Sequence, residues 1–318
     1  MGLTCEIFLN NANGVYKPGD SVEGTVKYVI GEPMEFTSVT LSLKGKGLCF
    51  CLPITPETLY IETEDYVEHL MDLLQAKDNR TTTIPEGTYY QYFYFALPQE
   101  IPSSYKDFKC YISFSVQLEF VERNPMSIPK RFYKDIQVKT GVKPQLKENY
   151  NVYEIKKVFM LSKSTVTLKA GIKKPFVYAG EDIIVISEVS NNAGVPLVST
   201  KTELIEFVSY KSNENEVKQT SKTLKGVEMI YIGMNRLETE QTQTINISTT
   251  SYKFSIDTRM LIKRYAVKVT LTFAFPHREL CLEIPVVVVE KIEEEKMDVL
   301  ASPCWQAMNE KSVREEET

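Results

Sequence analysis

The feature that most constrains this sequence is a run of strictly alternating apolar and polar residues between positions 108 and 120. The apolar members occupy every second position: Phe108, Cys110, Ile112, Phe114, Val116, Leu118 and Phe120. A helix would spread this set around its circumference, whereas a strand places all of it on one face. The run therefore predicts a long strand with one face buried in a core.

The same alternation recurs along the rest of the chain. It appears at residues 22–28, 39–46, 265–275 and 280–288. Pro276, His277 and Arg278 join the last two of these runs and predict a hairpin. Many strands separated by turn residues, with no alternating helical segments, are typical of antiparallel β-sandwiches. The predicted fold class is therefore all-β.

One segment departs from this alternation. Its apolar residues are spaced as on one face of a helix: Val67, Leu70, Met71 and Leu74. The spacing predicts a short helix over residues 64–77, inserted between strands of the first sandwich. We expect this helix to pack on the surface of the domain rather than to face a partner.

Chain length and an unpatterned central segment indicate two domains. A chain of 318 residues is long enough for two domains of ordinary size. Residues 141–150 lack alternation, and residues 15–20 are echoed by residues 177–182, where an aromatic residue again precedes a Gly-acid turn. We predict an N-terminal domain over residues 1–145, a C-terminal domain over 146–292 and an acidic tail over 293–318.

The net charge of −5 is concentrated in that tail. Residues 293–318 carry eight acidic and three basic side chains, a net of −5, so residues 1–292 are neutral overall. A neutral body argues against nucleic-acid partners, because binding to phosphates needs a net basic surface. The charged, unpatterned tail is expected to be disordered, with Trp305 exposed to solvent.

The sequence offers no catalytic or cofactor-binding constellation. It contains only two histidines, His69 and His277, and no nucleophile elbow, phosphate-binding loop or zinc-binding helix motif. Neither an enzyme nor a bound cofactor or metal is expected. The longest strongly apolar run, residues 284–289, is far shorter than the roughly 20 residues of a membrane span. Because the first residues also lack a secretory signal pattern, a cytoplasmic protein is expected.

The cysteines are widely spaced along the chain. They are Cys5, Cys49, Cys51, Cys110, Cys281 and Cys304. Cys49 and Cys51 share a strand face but lie too far apart for an ordinary disulfide. With no CxxC spacing, the sequence predicts reduced thiols in the core and on the surface.

Several collinear segments resemble the arrestin family, specifically its α-arrestin branch. The segments that resemble the arrestin N-terminal domain lie at residues 15–24, 39–47, 95–98 and 101–105. The segments that resemble the arrestin C-terminal domain lie at residues 176–181, 191–192, 265–269 and 283–286. The resemblance implies two immunoglobulin-like arrestin β-sandwich domains in tandem.

The resemblance also implies a function. Arrestin-domain proteins are adaptors that bind cytosolic tails of membrane proteins and couple them to trafficking, signalling or ubiquitin-ligase machinery, at the plasma membrane or at endosomes. A retromer-type coat subunit with the same twin-sandwich fold remains the alternative. α-Arrestins usually carry Pro-Pro-x-Tyr motifs for WW domains, but this sequence contains no Pro-Pro pair. Ligase recruitment through that motif is therefore not expected.

The resemblance also implies a basic groove, because arrestin N-terminal domains bind acidic or phosphorylated cargo tails through such grooves. Four basic residues are candidates for this role. Lys44 and Lys46 share one face of a predicted strand, and Lys130 and Arg131 begin another. Phosphate oxygens accept charge-assisted hydrogen bonds from such side chains. The alternative is an ordinary solvated strand face.

Overall fold

The structure, a computed structural model, describes most of the two predicted domains. The described residues are 2–51, 60–75, 81–123, 126–140, 152–159, 164–174, 176–211, 218–231, 241–249 and 254–290. Every regular element in these ranges is a strand, and the strands form two tandem β-sandwiches, which confirms the predicted fold class. The predicted boundary at 145/146 and the predicted tail lie outside these ranges and stay predictions.

The N-terminal sandwich is formed by two sheets. Its strands are β1 (Thr4–Leu9), β2 (Val15–Tyr16), β3 (Ser21–Ile30), β4 (Met34–Cys51), β5 (Tyr60–Gln75), β6 (Thr82–Ile84), β7 (Gly87–Ala96), β8 (Tyr105–Lys106), β9 (Cys110–Glu122) and β10 (Lys130–Val138). One sheet has the order β1-β3-β7, and the other has the order β2-β10-β9-β4-β5, with β6 added to β4 and β8 to β9. Residues 110–120 of the alternating run that opened the sequence analysis lie in β9, and the even-numbered ones are buried as predicted, whereas Phe108 precedes the strand and is 86% exposed.

The C-terminal sandwich has the same two-sheet plan. Its strands are β11 (Val152–Phe159), β12 (Ser164–Ile172), β13 (Phe176–Tyr178), β14 (Asp182–Asn191), β15 (Leu197–Tyr210), β16 (Lys218–Ile230), β17 (Gln241–Ser248), β18 (Ile256–Asp257), β19 (Leu261–Phe273) and β20 (Leu280–Val289). The sheets have the orders β11-β12-β14-β17 and β13-β20-β19-β15-β16, with β18 added to β19. The predicted hairpin around His277 joins β19 and β20.

The internal echo in the sequence has a structural basis. The short strand β2 pairs in parallel with β10, and β13 pairs in parallel with β20 at the equivalent place in the second domain. Each is followed by a glycine in the left-handed region, Gly19 with φ 86° and Gly180 with φ 99°. Glycine adopts this conformation without the steric cost of a Cβ, so the chain can turn into the next long strand.

The predicted helix over residues 64–77 is wrong, because the part of this segment that the structure describes belongs to strand β5, antiparallel to β4. Two β-bulges, at Tyr66 and Leu73, interrupt the pairing. Each bulge adds one residue and shifts the alternation of faces by one position. The core-side residues after these shifts are Val67, Met71 and Leu74. Their spacing of i, i+4 and i+7 mimics a helix although the segment is extended.

Cys49 and Cys110 contradict the expectation that every cysteine is a reduced thiol. They face each other across β4 and β9, with Cα atoms 4.1 Å apart, and their sulfurs form a disulfide. The short separation arises because antiparallel neighbours without direct backbone hydrogen bonds approach most closely. Cysteine spacing could not predict this pair, since the pairing depends on the register between two strands. Cys5 and Cys281 are free thiols.

Each sandwich encloses its own core, but the two cores are not equivalent at the junction between the domains. Tyr210, Ile256, Met260 and Leu261 belong by sequence to the C-terminal domain, yet they pack into the N-terminal core. The buried cluster of the C-terminal core draws only on residues of its own domain within the described ranges. The junction is therefore built by insertion of C-terminal side chains into the N-terminal sandwich.

Candidate interaction site

The outer face of the sheet β2-β10-β9-β4-β5 carries three of the four predicted cargo-binding residues. Along β4 the odd-numbered residues enter the core, so Lys44 and Lys46 project to the opposite, solvent side. Arg131 on β10 pairs with Glu119 on β9, which in turn pairs with Thr40 on β4. Arg131 is therefore on the same outer face as the two lysines.

Lys130 lies on the other face of this sheet. It precedes Arg131 directly, and neighbouring residues of a strand point to opposite sides. Its Nζ contacts Glu122 Oε1 at 2.7 Å. The hydrogen bond from Lys130 lowers the pKa of the Glu122 carboxyl below its usual value. The four candidates are thus divided over two faces, with Lys130 apart from the other three.

Each of these three cations has a carboxylate neighbour. Lys44 Nζ is 3.3 Å from Glu68 Oε1, and Lys46 Nζ is 3.3 Å from Asp65 Oδ1, because β5 supplies an acid directly opposite each lysine. Arg131 forms an ion pair with Glu119. All three pairs are partly or largely exposed to solvent. The three pairs are therefore neutral in sum, and Asp72 and Asp135 add two further carboxylates to this face, which is not strongly positive.

The strand register fixes the spacing of the three outer cations. Arg131 is in the row of Thr40, and Lys44 lies four residues further along β4. At roughly 3.4 Å per residue, the two rows are about 14 Å apart, which an extended peptide of a few residues spans. An acidic segment lying across β10, β9 and β4 would meet these cations in succession.

A second candidate surface is the cleft between the two sandwiches, with a volume of about 1310 Å³. Both domains line it: Pro18, Ile101 and Pro102 come from the N-terminal domain, and Phe254 and Val287 from the C-terminal domain. At one side Arg259 donates a hydrogen bond to the Thr63 carbonyl at 3.0 Å and contacts Glu62 at 3.6 Å. The cleft walls are therefore held together by contacts that cross the junction.

Asp107 is the polar centre of this junction. Its Oδ1 accepts the backbone N–H groups of Lys109 and Cys110 at 2.7 Å each. Its Oδ2 accepts the hydroxyls of Tyr105 at 2.9 Å and of Tyr210 at 3.1 Å. Burial by itself would raise the pKa of this carboxyl, but the four hydrogen bonds outweigh burial and lower it. The sequence analysis did not identify Asp107, because its partner Tyr210 is 103 residues away in the chain and no local pattern links the two.

The remaining residues named from the sequence, His69, His277 and Cys5, lie in ordinary structural surroundings. His69 Nε2 lies 2.9 Å from the Ala96 carbonyl oxygen, and the His277 N–H donates to the Ala274 carbonyl within the hairpin turn. Burial, with a smaller contribution from Glu6, raises the pKa of the Cys5 thiol to about 12. In the part of the chain that the structure describes, no three His, Cys, Asp or Glu side chains are placed to hold a metal ion. That part also contains no helix with the length and apolar character of a membrane span.

Comparison with known proteins agrees with this architecture. Residues 5–146 match the family described as arrestin (or S-antigen), N-terminal domain, and residues 162–292 match arrestin (or S-antigen), C-terminal domain. The chain is similar to arrestin domain-containing protein 1 of Homo sapiens, at 23% identity over 228 residues, which cover 65% of this chain and 47% of that protein. The match thus spans about half the length of this relative. Both sandwiches are covered, in the order in which they occur, so the chain belongs to the arrestin family, in its α-arrestin branch.

Proposed function

We propose that the protein is a non-enzymatic adaptor that binds acidic or phosphorylated cytosolic tails of membrane proteins for endocytic or endosomal trafficking. The observation that carries this proposal is the set formed by Lys44, Lys46 and Arg131, three partly to largely exposed cations on one sheet face of an arrestin N-terminal domain. Membership of the arrestin family supports the adaptor role, since arrestins act by binding rather than by catalysis. Residence in the cytoplasm with recruitment to membranes follows from this role as part of the proposal.

The ion pairs on this face suit exchange with a phosphorylated tail. Exposed pairs between lysine and a carboxylate are worth only about 0–1 kcal/mol, so a ligand displaces them at little cost. A phosphate group carries about −1.5 to −2 charges at neutral pH and offers three strong acceptor oxygens. It therefore outcompetes the single charges of Asp65, Glu68 and Glu119 for the same cations.

The test is binding of a doubly phosphorylated, acidic peptide, measured by fluorescence anisotropy at low ionic strength. Replacing Lys44, Lys46 and Arg131 together by alanine should weaken binding at least about tenfold, because the peptide loses its charge-assisted hydrogen bonds. Lys130→Ala is the matched control on the opposite face and should bind as the parent chain does. Circular dichroism should report unchanged folding in both variants.

A reciprocal variant sharpens the test. Replacing Asp65 with Asn and both Glu68 and Glu119 with Gln leaves the cations in place without their competitors. This variant should bind the phosphorylated peptide several-fold more tightly than the parent chain. If removing the cations and removing the acids both leave the affinity unchanged, this face does not bind the tail.

The coat-subunit alternative predicts a different behaviour in cells. An adaptor should be largely free and associate with cargo on demand, whereas a coat subunit should co-purify with fixed partners in constant stoichiometry. Affinity purification from native cells therefore separates the two roles. Any ubiquitin-ligase subunits in that sample would have to bind without a Pro-Pro-x-Tyr motif in this sequence.

A further inference from the structure

The outer strand β7 lacks the features that usually protect the edge of a sheet. Within the described residues it pairs with β3 alone, over ten consecutive residue pairs and without a bulge. Its sequence, Gly-Thr-Tyr-Tyr-Gln-Tyr-Phe-Tyr-Phe-Ala, contains no charged residue and no proline. Natural edge strands are normally protected by charges, proline or bulges, because an open edge is a template for another strand.

Another long outer strand of the same domain shows this protection clearly. Strand β5, at the edge of the other sheet, has two bulges. It also carries five acidic residues, Glu62, Glu64, Asp65, Glu68 and Asp72. An incoming strand would meet an irregular backbone and negative charge there. The regular, neutral backbone of β7 is therefore a specific property of this edge.

The backbone groups of β7 alternate between β3 and the open edge. The Leu97 N–H donates to the Asp20 carbonyl at 2.8 Å, so the odd-numbered residues of β7 bond to β3. The N–H and C=O groups of Tyr90, Tyr92 and Tyr94 therefore point away from the sheet. No other described strand pairs with them.

Two side chains already bond to carbonyl groups along this edge. Gln91 Nε2 donates to the Tyr92 carbonyl at 2.8 Å, and His69 Nε2 lies 2.9 Å from the Ala96 carbonyl. The His69 contact lies at the end of β7, beyond the three tyrosines. A strand added at the centre would replace the Gln91 side chain with a backbone donor.

The same three tyrosines cover the outer face of the strand. The side chains of Tyr90, Tyr92 and Tyr94 are 66%, 54% and 53% exposed. The Tyr92 hydroxyl donates to Glu23 at 3.0 Å, and the Tyr94 hydroxyl accepts from Ser21 at 2.9 Å. Two of the three rings are thus held in place by their hydroxyls although they are open to solvent, an arrangement typical of interaction surfaces.

We propose that β7 pairs with β7 of a second copy of this chain, antiparallel and centred on Tyr92. In this register Tyr92 faces Tyr92 of the second copy, and Tyr90 faces Tyr94 of the second copy on both sides of the two-fold axis. The residues that face each other are those whose backbone groups point to the open edge, so the ladder hydrogen bonds form. The two sheets β1-β3-β7 then continue as one six-stranded sheet with a central row of tyrosine pairs.

The distribution of charge around β7 suits a second copy of this chain, because the strand is neutral and the flanking charges on β3 are opposite in sign across the two-fold axis. Lys27 on β3 lies beside Tyr90, and Glu23 on β3 lies beside Tyr94. The proposed register puts Lys27 of one copy in the same row as Glu23 of the other, on both sides of the axis, three strand spacings or about 14 Å apart between backbones, so their attraction is weak and long-range. Because β7 itself is neutral, pairing with its own copy brings no like charges together at the centre. Such self-complementarity is the requirement for a two-fold symmetric dimer.

The first experiment is sedimentation equilibrium of the full chain over a range of protein concentrations. The parent chain should reach twice the mass of one chain. Tyr92→Glu should raise the dissociation constant of the dimer at least about tenfold, because two carboxylates then face each other across the axis. Tyr133→Glu, which changes a more exposed tyrosine on the other sheet, should dimerise as the parent chain does.

A second experiment tests the register. Tyr90→Lys and Tyr94→Glu should each weaken the dimer, whereas the double variant should recover it, since the lysine introduced at position 90 then faces the glutamate introduced at position 94 of the other copy. A parent chain that stays monomeric at every concentration overturns the proposal and leaves the tyrosine face to a different partner. Dimerisation unaffected by Tyr92→Glu, or a double variant no better than the single ones, also overturns it.

Discussion

The N-terminal sandwich buries aromatic rings where the C-terminal sandwich buries aliphatic side chains. The buried aromatic residues that the N-terminal domain supplies to its core are Tyr16, Tyr28, Phe36, Phe93, Phe95, Tyr105, Phe114 and Phe120. The C-terminal cluster contains only Tyr265 and Phe273 among its buried described residues, and otherwise consists of Val, Leu, Ile and Ala. The two domains share a strand plan, so the difference lies in packing rather than in topology.

The aromatic core is held by specific ring geometry. Phe120 meets Tyr28 edge-on at 5.4 Å between ring centroids, Phe36 in a tilted arrangement at 5.2 Å and Phe132 edge-on at 6.2 Å. Such pairs contribute about 0.5–1.5 kcal/mol beyond the area that they bury. An aliphatic core has no equivalent directional contribution. The comparison indicates that the N-terminal core tolerates the loss of a large side chain less well.

The first prediction tests this difference and has the largest expected effect. Phe120→Ala should destabilise the protein by about 4 kcal/mol, since it leaves a large cavity and removes three ring contacts. Leu271→Ala, at a fully buried position on the central strand β19, should cost about 3 kcal/mol. Urea unfolding followed by far-ultraviolet circular dichroism measures both. A larger loss for the leucine variant would reverse the comparison.

Much of the architecture was predictable because alternation survives in the sequence wherever a strand is regular. Strands β9, β19 and β20 have one face in a core, and their apolar residues recur at every second position. Strand β5 was not predictable, because bulges at Tyr66 and Leu73 shift that pattern and imitate a helix. Local spacing therefore predicts regular pairing but not the places where the pairing slips.

The candidate site was predictable only in part. Residue type and strand parity identify Lys44 and Lys46 on one face, and the same parity separates Lys130 from Arg131. The acids opposite them depend on the register of β5 against β4, which no local pattern encodes. The Cys49–Cys110 disulfide and the insertion of Met260 likewise depend on contacts between segments far apart in sequence.

The second prediction concerns the unequal way in which the two cores meet. Gly47 on β4 leaves room for Met260, and a Cβ at that position would overlap Met260 Cε and come within 3.0 Å of the Tyr66 hydroxyl. Gly47→Ala should therefore destabilise the protein by about 2 kcal/mol through overpacking. Met260→Ala should cost about 3 kcal/mol through a cavity in the N-terminal core. Urea unfolding measures both losses.

The double variant decides whether the two residues act through one contact. If they do, Gly47→Ala combined with Met260→Ala should cost clearly less than the sum of the single losses. Gly226→Ala on β16 is the matched control within the C-terminal domain. Its added Cβ would meet Glu203 Cγ at 2.9 Å and the Thr202 carbonyl oxygen at 3.3 Å, which is a smaller overlap than the one with Met260, so its stability should change less, by about 1 kcal/mol. Strictly additive losses would separate Gly47 from Met260.

The last and smallest effect concerns Asp107. Like the Met260 contact, its hydrogen bond with Tyr210 joins the two domains, but through polar groups. Its pKa is lowered in the folded protein by bonds from both domains, so the ionised carboxylate stabilises the fold above its unfolded pKa of about 3.9. This contribution disappears as the pH falls through the lower folded value. Asp107→Asn should therefore lower the free energy of unfolding by about 1 kcal/mol at neutral pH, and this loss should disappear below about pH 4.

Tyr210→Phe removes only the bond between the domains, so it should lower the free energy of unfolding by less, with the same dependence on pH. Thermal unfolding at a series of pH values measures both variants, and a loss that stays constant into acid would show that the charge of Asp107 does not hold the two sandwiches together.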